Sequence, residues 1–154
     1  MIVSIVDSQE EKISILNSMR AQRLDKVIIY SLDECSDEQW LEMLKHAWCL
    51  TIRTDEGPAG IAWFDNIYGK TAQSHFCPLR ENFEHTAAFG KAIIQWLEDK
   101  LDVKMLTGIT PVPFRQSKKM MPVWGFEEVF KMPEACYLAK YKKHVDGILY
   151  VRKS

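Results

Sequence analysis

A histidine and a cysteine, His75 and Cys77, stand two residues apart in the stretch SHFCPL. On a β-strand they project from the same face, which brings an imidazole beside a thiol. An imidazole can take a proton from an attacking nucleophile near neutral pH, so His75 is a candidate general base. Cys77 is a candidate nucleophile whose only visible activating neighbour is His75. The alternatives are that His75 is only a histidine packed in a strand, and that a carboxylate acting through water is the base.

A second group of polar residues precedes an apolar helix, in the stretch LRENFEHTAAFGKAIIQWLEDKL. The first turn of a helix offers unpaired N–H groups and a partial positive charge, and together they bind anions such as phosphate. Arg80 and His85 would add to this attraction. The alternatives are a solvated arginine, a histidine that only belongs to the helix cap, and two glutamates, Glu81 and Glu84, that stabilise the helix dipole.

The composition favours one packed domain spanning residues 1–154, with 47% hydrophobic residues and a net charge of −1. The near-neutral charge argues against a protein that holds nucleic acid through its phosphates. A local set of basic and aromatic residues near the C-terminus leaves that function open, although a charged edge strand explains them equally well. The set comprises Tyr137, Lys140, Tyr141, Lys142, Lys143, Arg152 and Lys153.

The four cysteines are far apart and form no CxxC pair, so we expect buried free thiols and no metal site. No apolar run reaches the ~20 residues of a membrane span, and no basic region precedes the short apolar run at the N-terminus. We therefore expect a cytoplasmic protein with no membrane partner.

Hydrophobic periodicity and turn residues predict a β-α-α-β-β-β-α-β-α-β-β order. Capping-box patterns at Ser8 and Ser36 begin the first two helices. Residues 27–30 form a short strand or a link, and residues 49–77 form a three-stranded antiparallel meander. Pro122 interrupts a short helix, two strands close the domain, and residues 144–154 add at most a small edge strand.

Four stretches in this order resemble the GNAT acyltransferase superfamily, and more closely its small phage and prophage members. They are EGPAGIAWF, HFCPL, AFGKAIIQWL and GITPVPFRQSKKMMPVWGF. The resemblance covers nearly the whole chain. It implies an α/β (α+β) fold with a mixed, mostly antiparallel sheet, helices on both faces, and a splay between the family's fourth and fifth strands.

The resemblance also implies that acetyl-CoA is the co-substrate. The pantetheine arm would pair with the fourth strand, and the pyrophosphate would sit on the turn before the next helix. If Gly90 holds the last small position of that turn, Ala88 holds the earlier one, where glycine is usual. His85 then stands where the family has glutamine or arginine, Thr86 follows it within the turn, and Arg80 is left to reach the anion.

The resemblance also implies positions for an oxyanion donor, a pantetheine-binding residue and an acid, but two of these positions hold unsuitable side chains. An amide of the fourth strand, that of Cys77 or Leu79, would bind the oxyanion. The position that often holds a pantetheine-binding asparagine is Phe114, and the position of the tyrosine that protonates the departing thiolate is Met121. Neither of these two side chains has the required polar group.

Basic residues on the same predicted short helix offer further contacts with the cofactor. Arg115 matches a common residue of the family, and Lys118 and Lys119 could meet the CoA phosphates, or could form a solvated face. We therefore expect an N-acetyltransferase that acts on an unknown amine, and a possible homodimer. The alternative is a degenerate module of the same fold that binds a partner protein.

Overall fold

A computed structural model describes residues 2–154, apart from the side chains of residues 82 and 83. Its helices are α1 (Gln9–Ala21), α2 (Asp25–Ile28), α3 (Asp37–Leu44), α4 (Thr86–Leu101) and α5 (Arg115–Val123). Its strands are β1 (Ile2–Ile5), β2 (Trp48–Thr54), β3 (Gly57–Pro58), β4 (Gly60–Tyr68), β5 (Thr71–Pro78), β6 (Met105–Pro111), β7 (Glu127–Leu138) and β8 (Lys143–Lys153). Two short 3₁₀ helices span Arg80–His85 and Ala139–Tyr141.

The strands form one mixed sheet in the order β1-β2-β4-β5-β6-β8-β7, with β3 paired to β2. Within the described sheet the β5–β6 pair is parallel and the other pairs are antiparallel. The predicted mixed, mostly antiparallel sheet is therefore confirmed. The parallel pair sits in its middle.

Helices cover both faces of the sheet, because alternate strand residues point to opposite faces. One face packs α1 and α3 against Ile61 and Trp63 of β4 and Cys77 of β5. The opposite face packs α4 and the end of α5 against Ala62 and Phe64 of β4. Strand β4 is thus buried on both sides over residues 60–64.

The helices begin where their caps predict. Ser8 accepts a hydrogen bond from the N–H of Glu11 at the start of α1, and Ser36 forms a reciprocal capping box with Gln39 at the start of α3. The apolar stripe of α4, which includes Phe89, is buried against the sheet. No helix in the described part of the chain is long and apolar enough to cross a bilayer.

Two expectations about local structure were wrong. Residues 27–30, expected as a short strand or a link, include the last two residues of the helical turn α2. Pro122 lies within the last turn of α5 instead of breaking it. The carbonyl that Pro122 leaves without an N–H is that of Lys118, one turn earlier, as expected for a proline near a helix end.

The C-terminal strands differ most from the prediction. Residues 127–138 form one long strand, with register shifts near Glu128 and before Cys136, rather than part of two strands. Residues 143–153, expected at most as a small edge, form β8 between β6 and β7. Lys143 and Lys153 stand at its two ends, roughly 30 Å apart at the rise of a strand. The basic residues of the C-terminus therefore do not form one nucleic-acid patch.

Candidate active site

A cleft opens between β5 and β6 where these parallel strands separate. Their ladder has three residue pairs and ends at Gln73 and Thr107, although both strands continue beyond it. The Ser74 hydroxyl donates to the Thr107 carbonyl at 2.6 Å and closes the apex. The cavity above the apex has a volume of about 240 Å³. The structure thus contains a splay of the kind predicted.

The walls of the cleft are mainly apolar, with a few polar side chains among them, as in many small-molecule sites. Segments from both sheet faces contribute to them. The apolar wall residues include Leu24, Val27, Ile28, Tyr30, Phe76, Phe114, Met120, Met121 and Trp124, and the polar ones include Thr86, Thr110, Gln116 and Ser117.

The peptide groups of β5 decide which amides can face a ligand. The N–H of Leu79 donates to the Ala59 carbonyl at 3.0 Å, so it is used within the sheet. Peptide groups alternate along a strand, and Cys77 lies opposite Ile61 of β4. The amides of Cys77 and Leu79 therefore point to β4, contrary to their expected role as oxyanion donors. By the same alternation, the N–H and carbonyl of Phe76, the residue directly before Cys77, point to the cleft side.

His75 lies on the sheet face that carries α1 and α3, and it is held from two directions. Its Nε2 is 2.9 Å from Oδ1 of Asp65, and its ring stacks on Trp63 with a centroid distance of 4.9 Å. A carboxylate that accepts the Nε2 proton leaves Nδ1 as the basic nitrogen. His75 is therefore packed within the sheet, as one interpretation held, and it still has a ring nitrogen that could act as the base, as the other held.

Cys77 is on the same face as His75, as the two-residue spacing predicted, but its thiol is buried. Burial raises its pKa to about 12, with a smaller contribution from the charge of Asp25. The group is therefore a neutral thiol at physiological pH, and this environment does not activate a nucleophile. The other three cysteines are also buried and free, as expected.

The start of α4 follows the predicted turn closely in position. His85 is the N-cap and Thr86 is the first helical residue. The first turn contains no acidic residue, and Ala88 in it is exposed. The positive end of the helix dipole is therefore not offset within its own first turn. The His85 imidazole is exposed and lies 3.3 Å from the carboxylate of Glu84.

Arg80 is anchored to the end of α1 rather than extended into solvent. Its backbone N–H donates to Oε1 of Gln22 at 2.6 Å, and its Nε donates to the Gln22 carbonyl at 2.8 Å. Nε2 of Gln22 donates in turn to Glu81 at 2.8 Å. Gln22 therefore fastens the turn before α4 to the helix on the opposite face of the sheet.

Gly90 is required by packing. A Cβ at this position would lie 2.2 Å from Nε1 of Trp124, which no real side chain tolerates. The Trp124 indole donates to the Thr86 carbonyl at 3.3 Å and contacts the ring of Phe76 with a centroid distance of 4.5 Å. Close packing against Trp124 therefore accounts for the glycine at this position. Trp124 joins the start of α4 to the edge of β5.

Helix α5 and its N-cap hold Phe114 and Met121, the two residues at the positions where the family often has asparagine and tyrosine. Phe114 is its N-cap, and its ring meets Tyr30 edge to face at 5.4 Å. Met121 is buried, with its methyl group directly over the Gly108 backbone. Both contacts are apolar. Arg115 is exposed and Lys118 is partly buried, and both follow Phe114 at the start of α5.

Sequence reasoning missed Asp65 and Trp124. Asp65 lies ten residues before His75 and meets it only because β4 folds back on β5, and no local motif indicates this. Trp124 directly precedes the Gly-Phe pair but is placed by the contact with Gly90. Across the described residues, no group of three or more His, Cys, Asp or Glu side chains is arranged to hold a metal ion.

Comparison with known proteins identifies the fold. No family model and no curated protein sequence matches the chain. A solved spermidine N-acetyltransferase from Vibrio cholerae, in complex with CoA and spermine, is similar at 10% identity with a TM-score of 0.76. It covers 98% of this chain and 95% of its own.

Two ribosomal-protein acetyltransferases are also similar. The ribosomal-protein-S5-alanine acetyltransferase of Vibrio fischeri has 13% identity and a TM-score of 0.75, covering 98% of this chain and 91% of its own. A ribosomal L7/L12 alpha-N-protein acetyltransferase in complex with coenzyme A has 18% identity and a TM-score of 0.74, covering 98% and 93%. At these identities the likeness establishes the fold, which is that of the GNAT N-acetyltransferases.

Proposed function

We propose that this chain is an acetyl-CoA-dependent N-acetyltransferase that acetylates an amine of a small molecule or a protein. The observation that carries the proposal is the separation of β5 and β6 beyond Gln73, which turns the Phe76 peptide group toward a cleft of about 240 Å³. Two of the structural neighbours are complexes with coenzyme A. Single-domain organisation, a cytoplasmic location and closeness to phage proteins stay predictions.

The residues at the cleft fit acetyl-CoA in three places. The cleft side of β5 offers the carbonyl of Phe76 to an amide of an extended pantetheine arm. The first turn of α4, with Ala88 exposed and no carboxylate in it, suits a pyrophosphate. Lys118 and Arg115 on α5 would supply further contacts with the phosphates. A negative charge on the first turn should therefore weaken binding.

The reaction needs a base for the amine and a donor for the oxyanion, and acetyl-CoA supplies the activated acyl carbon. His75 takes the proton that the amine loses as its nitrogen bonds to the acetyl carbon, while Asp65 holds the imidazole in place. The Phe76 N–H donates to the developing oxyanion. The C–S bond then breaks and CoA leaves as a thiolate.

The departing thiolate meets no acid at the family's usual position. Met121 and Phe114 carry no exchangeable proton, and both are held by apolar contacts. A thiolate is a good enough leaving group for transfer to proceed with solvent as the proton source. The slower turnover expected here distinguishes the proposed enzyme from relatives that keep the tyrosine.

Calorimetric titration with acetyl-CoA tests the proposal, and micromolar binding is expected. Ala88→Glu should weaken affinity about tenfold by placing a carboxylate beside the pyrophosphate, whereas Ser14→Glu on the exposed face of α1 should leave it unchanged. Turnover is followed as free thiol released with a panel of amines. An absence of heat at millimolar acetyl-CoA would overturn the proposal and leave a partner-binding module of the same fold.

A further inference from the structure

A dense group of cations and exposed rings surrounds the turn between β7 and β8. We define the basic–aromatic turn as residues 137–144, which read YLAKYKKH. Tyr141 is 60% exposed and Tyr137 38%. The ammonium groups of Lys140 and Lys143 lie 5.5 Å and 5.9 Å from the centre of the Tyr141 ring. The rings thus hold positive charge at the tip of the turn.

The positive charge of this turn is not neutralised nearby. Within the described residues, no carboxylate lies within 4.0 Å of the ammonium groups of Lys140, Lys142 or Lys143. Lys131 on the same hairpin, by contrast, is 3.8 Å from Asp146. The three unpaired lysines therefore form a local positive field on a chain that is neutral overall.

The basic–aromatic turn is fixed to the wall of the cleft. The Ala139 N–H donates to the Tyr30 carbonyl at 3.0 Å, and the Tyr30 hydroxyl donates to Sγ of Cys136 at 3.6 Å. The ring of Tyr30 lines the cleft and contacts Phe114. The backbone of the turn is therefore hydrogen-bonded to a residue of the cleft wall.

We propose that the basic–aromatic turn docks an acidic polypeptide segment, and that the amine acetylated in the cleft belongs to that polypeptide. This rests on the proposed function and specifies its acceptor. Ammonium groups bind carboxylates along an extended peptide, and exposed tyrosine rings pack against its backbone and side chains. A small polycation would be repelled by the same three lysines.

A nucleic acid fits the same charges less well. A nucleic-acid groove follows many phosphates with a long basic track. Here the other basic residues of the C-terminus, Arg152 and Lys153, lie at the opposite end of β8, and Arg152 is paired with Glu98. A cluster confined to one turn matches a short acidic segment better.

The test compares two short peptides that carry a free N-terminal amine and one lysine, one with Glu at alternate positions and one with Gln there. The acidic peptide should be the better acceptor by about tenfold in kcat/KM, through KM, with the advantage falling as salt rises. Changing Lys140, Lys142 and Lys143 together to Gln should abolish this preference and leave transfer to the Gln peptide unchanged.

A matched variant controls for loss of charge alone. Lys45, Lys100 and Lys153 are exposed on other parts of the surface, and changing them together to Gln should preserve the preference. Equal use of both peptides by the wild-type chain, with acetyl-CoA binding intact, would overturn this inference and spare the proposed function. Tighter binding of a single-stranded oligonucleotide than of the acidic peptide would also overturn it.

Discussion

The two ends of the β5–β6 pair are built in opposite ways. At the closed end, the N–H groups of Lys104 and Met105 both donate to the Lys70 carbonyl. The Asp102 carboxylate bridges the ammonium groups of Lys70 and Lys104 at 2.5 Å and 2.7 Å. These contacts are polar and exposed, and they come from the residues that directly precede the two strands.

At the open end, the strands are kept apart by buried side chains from distant parts of the chain. Trp124 contacts Phe76 of β5 and the start of α4, and Met121 lies over Gly108 of β6. Exposed ion pairs contribute little to stability, whereas packed aromatic side chains contribute more. Changes at the open end should therefore have larger effects than changes at the closed end.

The largest effect should come from His75→Gln, which removes the proposed base without moving the strands. We expect kcat/KM to fall about a hundredfold or more, because positioned general bases contribute factors of this size. Affinity for acetyl-CoA by calorimetry should not change. His46→Gln, at an exposed position before β2, is the matched control for turnover. Full activity of His75→Gln would remove this residue as the base.

Gly90→Ala tests how tightly the Trp124 indole packs against α4 at the open end. In a typical helix interior this change stabilises by ~1 kcal/mol. Here the new methyl group meets the Trp124 indole, so we expect unfolding in denaturant to become easier by about 2 kcal/mol. The same change in a Trp124→Phe background should cost less. A stabilised Gly90→Ala protein would show that the contact is not tight.

Asp65→Asn tests whether the carboxylate serves His75 or only the surface of the sheet. Asn keeps the size of the side chain but loses the charge that holds the imidazole proton. We expect kcat to fall about tenfold with little change in KM or in melting temperature. A loss of melting temperature with unchanged kcat would instead assign Asp65 a structural role.

The smallest effect should come from Asp102→Asn at the closed end. Hydrogen bonds from Lys104 and Lys70 lower the Asp102 pKa to about 2. The unfolded chain has a higher value of about 4, so the stabilisation is present above that pH and is lost as pH falls toward 2. The dependence of melting temperature on pH between about 4 and 2 should therefore be flatter for the variant, and its small deficit in melting temperature at pH 7 should vanish near pH 2. If melting temperature depends on pH equally in both proteins, solvent screens the ion pairs of Asp102 with Lys70 and Lys104.

The elements with a local signal were predictable from the sequence. The apolar stripe of α4 and the capping box at Ser36 depend on residues within two turns of each other, and both were predicted correctly. A position for His85 in the helix cap was one of the alternatives that the sequence left open, and His85 is the N-cap of α4. These features need no knowledge of the rest of the chain.

Features that depend on distant contacts were not predictable in the same way. Strand β8 carries polar residues at both ends, which resembled an edge, yet its centre is buried between β6 and β7 around Gly147 and Ile148. Asp65 is missing from the predicted site for a related reason, since its contact with His75 depends on the register of β4 against β5.

The separation of β5 from β6 gives this protein a strand edge inside a sheet. Outer edges invite pairing between molecules, and proteins protect them with prolines, bulges and charges. The inner edge at Phe76 needs no such device, because β6 and α5 flank it and Trp124 covers it on one side. An edge enclosed in this way is less accessible to a strand of another molecule than an outer edge, so it should add little to the tendency to aggregate.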